Sequence, residues 1–360
     1  MSPDSPVPEL VRPAVERTDT RSTADAAATD SIAAPRERAR RALRLVVAAA
    51  TVVFVWLHRG EIPATAHQLR RADPLWVLAG VALVALFLAA SGLLHQAGQR
   101  AAGWSLGTTR AVRLAASAAF LNVVTKSAGV AGAGCFVGEA RRQGRARTPV
   151  VAGYAAAMLG SETAFLAVLG VAVLVLARGG ELSAPVLVGA AVFGVYLGGR
   201  LALALGLGNV QALTARASAL WARATTAMHR PPTRRHPPLA DEVQEVVGLL
   251  RSCARRALPI VVWALVMEAL GVAMVAASMA AVGLPSDPSR AVIVYSLAIL
   301  FGIVGVVPGG LGVVEITTVA TLVSLGADPS RAAAAVVIYR CFELWLPGLV
   351  GALAAARRPW

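Results

Sequence analysis

Lys126, Glu162, Glu268, Glu315, Arg340 and Glu343 fall inside stretches apolar enough to lie in a membrane. Each costs about 2.5–3.5 kcal/mol at a helix centre on insertion scales, so each needs a reason to be there. Arg340 and Glu343 are three apart and share a helix face, where they can pair with each other. The same guanidinium, a planar fork of donors, also suits a phosphate. Glu315 follows directly on the turn-forming run Pro308-Gly309-Gly310-Leu311-Gly312. Read as unpaired acids, Glu162 and Glu268 can be held by hydrogen bonds, or can take up a proton or cation during a cycle. Lys126 can neutralise a headgroup or snorkel to the interface.

Other chemistries leave no trace. There is no HExxH or Walker A motif, so neither a zinc-peptidase helix nor an ATP-driven pump is encoded here. Cys135, Cys253 and Cys341 are scattered and odd in number, without metal-ligand or disulfide spacing. The five histidines are equally dispersed, at the edges of apolar runs or in loops. The expectation is a non-enzyme without cofactor or metal.

These charges sit in a chain of 360 residues that is 57% apolar and only 15% charged, with mean hydropathy +0.65. A soluble domain cannot hide that much apolar surface, because its outside must meet water. The net charge of +14 is almost entirely arginine, gathered in short loops without interleaved aromatics. That pattern fits cytoplasmic loops facing anionic lipid and not a nucleic-acid partner.

Residues 1–35, rich in Pro, Ser, Thr, Asp and Ala, read as a disordered cytoplasmic tail. Spanning segments are expected at Leu45–Leu57 (an uncleaved anchor), Leu75–Leu94, Val150–Ala177, Pro185–Leu207, Leu258–Val282 and Ala332–Ala355. A Pro-broken, Arg-rich linker with an interfacial helix at 239–256 occupies 209–256 and divides membrane halves 36–208 and 257–360. Two apolar stretches remain. Val112–Val137 is interrupted by Gly129, Gly132 and Gly134, and Ala291–Leu325 by the Pro308–Gly312 run. Proline removes a helix donor and glycine weakens helix interiors, so each reads as two half-helices joined at membrane depth.

Arginines before the first span place the N-terminus inside, and Arg357 and Arg358 place the C-terminus there too. Arginines flank the first broken stretch on both sides; Asp287 and Asp328 flank the second. The two hairpins therefore enter from opposite faces. Thr109-Arg110-Ala111-Val112 also aligns with Ser289-Arg290-Ala291-Val292 about 180 positions on, an offset that sets Gly129 on Gly309 and Gly132 on Gly312. The expected fold is an all-α polytopic membrane protein: about six spanning helices plus two re-entrant hairpins in an inverted repeat, a layout that points to a transport site.

Pro308-Gly309-Gly310-Leu311-Gly312-Val313-Val314-Glu315, with Tyr339-Arg340 and Trp345-Leu346-Pro347, resembles the membrane domain of lysylphosphatidylglycerol synthases and their stand-alone relatives. Asn122-Val123-Val124-Thr125 with the Gly129–Gly134 cluster looks like that family's earlier signature, and the resemblance covers roughly residues 40–356. It implies a flippase-like protein of the inner (plasma) membrane that moves a phospholipid or polyprenyl-phosphate-linked lipid between leaflets, in cell-envelope glycolipid pathways. Two departures are expected to matter. The chain ends just after its last span, without the aminoacyl-transferase domain of the full synthases. Lys126-Ser127-Ala128 stands where relatives carry a proline–glycine turn.

The expected substrate site lies at the two breaks: Asn122, Lys126, Gly129, Gly132, Pro308, Gly309, Gly310, Gly312, Glu315, Arg340 and Glu343. Glu162 and Glu268 are candidates for proton or cation coupling. A second reading makes the chain a non-transporting scaffold for a membrane enzyme partner, with 209–256 as its working surface.

Overall fold

Asp-Pro pairs open three of the helices. Asp73 precedes α1's successor α2 (Pro74–Ala101), with α1 at Ile62–Arg70; Asp287 precedes α9 (Pro288–Val304) and Asp328 precedes α11 (Pro329–Arg340). In each the carboxylate accepts a first-turn N–H: Leu75 N at 2.8 Å, Arg290 N at 3.1 Å, Ser330 N and Arg331 N at 3.1 Å. The proline follows where its missing N–H has no helical acceptor to lose. The computed structural model describes residues 62–125, 129–180, 182–204, 239–304 and 308–356, and among these only helices and turns occur. The tail, the segment Leu45–Leu57, most of the linker, Lys126 and the last four residues lie outside the described residues.

The remaining elements are α3 (Thr108–Thr125), α4 (Val130–Arg142), α5 (Arg147–Gly179), α6 (Ala184–Ala204), α7 (Leu239–Ala254), α8 (Leu258–Ala281), a 3₁₀ turn at Pro308–Gly310, α10 (Val313–Ser324) and α12 (Leu346–Ala356). A π-helical turn, Cys341–Trp345, joins α11 to α12. Five helical runs are long and apolar enough to cross a membrane: Pro74–Ala101, Arg147–Gly179, Ala184–Ala204, Leu258–Ala281 and Pro329–Ala356. They coincide with five of the expected spans. Their outer faces are apolar and bare: Leu75, Val195 and Leu258 are each at least 70% exposed, and only 17% of the apolar stretch of α6 is buried. Such a surface needs lipid around it. The molecule is an all-α, multi-pass membrane protein.

The two broken stretches differ from the spans in length. At 1.5 Å per residue, α4 and α10 reach only about 20 Å and 18 Å, well short of the roughly 30 Å hydrocarbon core. Gly129, at φ 91°, ends the first break and opens α4. Gly132 and Gly134, expected to interrupt the helix, lie inside α4. Gly132 is there for space: a Cβ would collide with the Tyr154 hydroxyl and the Asn122 amide. The second break needs three left-handed residues, Gly309, Gly310 and Gly312, at φ 67°, 66° and 85°. An L-side chain rarely adopts these angles.

The most extensive helix pairing is α2 against α8, and small residues let backbones close elsewhere too. Gly98 of α2 rests on the carbonyl of Gly153 in α5, and Gly351 of α12 on the carbonyl of Ala116 in α3. Glutamines pin the first half: Gln96 Nε2 donates to Leu106 O at 2.5 Å and Gln99 Nε2 to Val150 O at 3.1 Å. His95, expected at an edge, is buried and stacked on Phe136 at 5.3 Å between ring centroids. Because the atom opposite Gly98 is backbone, it cannot swing aside. Gly98→Ala should therefore destabilise the fold by about 1–3 kcal/mol, read as a lower melting temperature of the purified protein in detergent.

Candidate functional site

Arg340 ends α11 with its side chain only 4% exposed. Its Nε donates to Glu315 Oε1 at 2.7 Å, Nη1 to Glu343 Oε2 at 2.6 Å and Nη2 to the carbonyl of Gly309 at 2.6 Å. One cation thus gathers a carboxylate from α10, a carboxylate from its own helix and the backbone of the glycine turn. A buried guanidinium is tolerable only when its charge and donors are met. Here they are met three ways.

Glu315 has a second duty. Its Oε2 accepts the N–H of Gly312 at 2.6 Å, closing the exposed N-terminus of α10 three residues back. Glycine at the cap has no side chain to do this. The same carboxylate therefore fastens both the broken helix and the arginine.

The first break is fastened by Asn122. Its Oδ1 accepts Gly132 N at 2.8 Å and its Nδ2 donates to Tyr154 Oη at 2.9 Å, so α3 grips both the first turn of α4 and the long helix α5. The end of α3 also meets the second break. Val123 of α3 and Leu344 pack against the Cα of Gly309. A cavity of about 260 Å³ opens there, with Asn122, Gly302, Gly309, Tyr339, Arg340 and Glu343 in its wall.

A π-turn after Arg340 shapes this wall. Leu346 N bonds Cys341 O five residues back. Pro347, two residues past the turn, has no N–H and would clash with the carbonyl four residues before it in a regular helix. The widened turn relieves that clash. π-turns of this kind recur at functional sites.

Of the expected residues, Asn122, Gly309, Arg340 and Glu343 share the cavity wall, and Glu315 is bonded to Arg340. Pro308, Gly310 and Gly312 build the turn, while Gly129 ends the first break and Gly132 lies inside α4, neither lining the cavity. Lys126 lies outside the described residues. Glu162 and Glu268 are elsewhere, and neither is unpaired. Glu162 of α5 pairs with Arg200 of α6, which also donates to Tyr196 Oη at 2.8 Å. Glu268 of α8 accepts the Tyr295 hydroxyl at 2.8 Å with both groups buried.

Sequence reasoning missed Arg200 although it lies inside the expected span Pro185–Leu207. Tyr154, Tyr295 and Tyr339 were missed as well. A tyrosine within an apolar span is the signal that could have found them, since a buried hydroxyl asks for a partner. The Tyr339 hydroxyl is buried beside the cavity with no hydrogen-bond partner among the described residues. Among those residues no three metal-ligating side chains converge.

A family model described as the lysylphosphatidylglycerol synthase TM region matches residues 41–351, a span that takes in both breaks, Arg340 and both of its acids. The chain belongs to this family. The lysylphosphatidylglycerol synthase TM-region model is that of the membrane part and not of an aminoacyl-transferring domain, so membership assigns this chain no catalytic role. No curated protein matches the chain significantly. Within the lysylphosphatidylglycerol synthase TM-region match, all the polar contacts just described fall on residues inside the matched span.

The double duty of Glu315 ranks the two acids. Glu315→Ala opens the α10 N-terminus and strips one partner from a buried cation, a loss on the order of 3–5 kcal/mol. Glu343→Ala should cost less, because Glu315 and Gly309 still hold the guanidinium. Melting curves in detergent should place Glu315→Ala lowest, then Glu343→Ala, then the unaltered protein. Asn122→Ala, which orphans the Gly132 N–H and the Tyr154 hydroxyl, should lower stability by about 1–3 kcal/mol in the same assay.

Proposed function

We propose that this chain moves a lipid with an anionic, phosphate-bearing headgroup between leaflets, the headgroup passing the Arg340 cluster. An anionic phospholipid and a polyprenyl-phosphate-linked lipid share that chemistry. One observation carries the reading: a buried guanidinium in the wall of a cavity between the end of α3 and the glycine turn of the second break. A purely structural arginine needs no cavity beside it.

The cluster suggests how a phosphate would be handled. Glu315 is tied to the backbone, whereas Glu343 is held to Arg340 by a single bond and is 28% exposed. A phosphate oxygen entering the cavity can take the place of Glu343 on Nη1 through a comparable charge-assisted bond. The swap never leaves the guanidinium without a partner, which keeps the barrier low. Lys126, Gly129 and Asn122 belong to the same reading, as the first break's contribution to the headgroup path. Glu268 is the candidate carrier of a coupling proton, while Glu162 is committed to Arg200.

Packing supports an inverted repeat around this site. A long helix, two short ones and a long run occur in order twice, as α2–α5 and as α8, α9, α10 and the continuous run Pro329–Ala356 that holds α11 and α12. The short helix α3 of the first set packs on α12 of the second, and α9 of the second packs on α5 of the first. Loop arginines support a first hairpin entering from the cytoplasm and a second from outside, with both chain termini cytoplasmic in the inner membrane.

Leaflet exchange of fluorescent phosphatidylglycerol in liposomes carrying the purified protein tests the proposal. The unaltered protein should exchange lipid faster than empty liposomes. Arg340→Ala should fall to the empty-liposome rate, and Arg340→Lys, which lacks the planar fork, should recover little. Exchange at the unaltered rate in Arg340→Ala would sink the phosphate-passage reading.

A further inference from the structure

A second cleft, of about 410 Å³, lies between α5, α6 and α7. It shares no lining residue with the Arg340 cavity. Its floor is a stripe of α5 at four-residue spacing, Arg147, Val151, Ala155 and Leu159, which keeps to one helix face. Leu203 of α6 and Val247 and Leu250 of α7 form the opposite walls.

The stripe is charged at one end and apolar along its length. Arg147 is exposed at the start of α5, with the hydroxyl residue Thr148 beside it. From Arg147 to Leu159 the helix rises about 18 Å, close to the depth of one leaflet's hydrocarbon. At the deep end Arg200 closes the cleft, held by Glu162 and stacked over the Tyr196 ring at 5.6 Å. Among the described side chains no acid answers Arg147 in the cleft wall: Glu162 is engaged by Arg200, Glu139 pairs with Arg110 at 3.3 Å, and Glu245 of α7 does not line the cleft.

A positive mouth above an apolar channel one leaflet deep matches an amphiphile with an anionic head. We propose that this cleft holds one anionic phospholipid, its phosphate against Arg147 and one acyl chain along Val151, Ala155 and Leu159. The amphipathic helix α7 then serves as the outer wall of a lipid site. This occupant is resident in one leaflet and independent of the lipid that passes Arg340.

Native mass spectrometry of the full chain in detergent, titrated with phosphatidylglycerol or phosphatidylcholine, tests the proposal. The unaltered protein should retain one phosphatidylglycerol at least about tenfold more strongly than phosphatidylcholine, the factor expected for one charge-assisted contact. Arg147→Gln, a change at an exposed position, should erase that preference. Ala155→Trp, which fills the channel, should lower retention of both lipids about tenfold. Arg340→Ala should leave this retention unchanged, which separates the cleft from the passage site. Equal retention of the two lipids by the unaltered protein, or unchanged retention in both Arg147→Gln and Ala155→Trp, overturns the proposal. So does a loss confined to Arg340→Ala.

Discussion

Inside a bilayer there is no water to satisfy a helix that stops short. Every backbone group freed at a break, and every charge drawn in to satisfy it, must find a partner within the protein. Among the described residues the chain breaks its helices twice, and Asn122, Glu315, Arg340 and Glu343 are accounted for by that requirement. Asn122 supplies the acceptor that α4 lacks. Glu315 supplies the one that α10 lacks, but brings a negative charge with it. Arg340 balances that charge, and its surplus donors in turn engage Glu343 and the Gly309 carbonyl. The cluster grows outward from one uncapped helix end, each member required by the one before.

The two breaks are solved with different chemistry. A neutral amide closes the first, and an ion cluster closes the second. An amide brings no net charge to the cavity, whereas the cluster places one guanidinium and two carboxylates beside it. The asymmetry means that the two halves of the molecule, alike in helix order, are unlike in electrostatics. Whatever enters the cavity meets one polar wall and one charged wall.

Much of the fold was legible in the sequence because lipid imposes simple rules. Apolar runs of spanning length located five helices, and Asp-Pro pairs stand where three helices begin. Proline and glycine located both breaks, and the rarity of charges in apolar runs singled out Arg340, Glu315 and Glu343. What was illegible depends on distance in three dimensions. No local pattern says that Gly132 is small to admit Tyr154 from another helix, or that it lies inside a helix and not between two. The pairing of Glu162 with Arg200 joins residues on separate helices. Tyr295 and Glu268 were likewise invisible as a pair, since each alone reads as an ordinary residue of a span.

The π-turn at Cys341–Trp345 makes the last membrane crossing two rods and not one. The upstream rod, α11, is packed with α8 and α10; the downstream rod, α12, is packed with α3. The widened turn sets their phases apart, so neither transmits its twist fully to the other. Any rocking of one rod against the other has its fulcrum beside Arg340, where displacement is smallest.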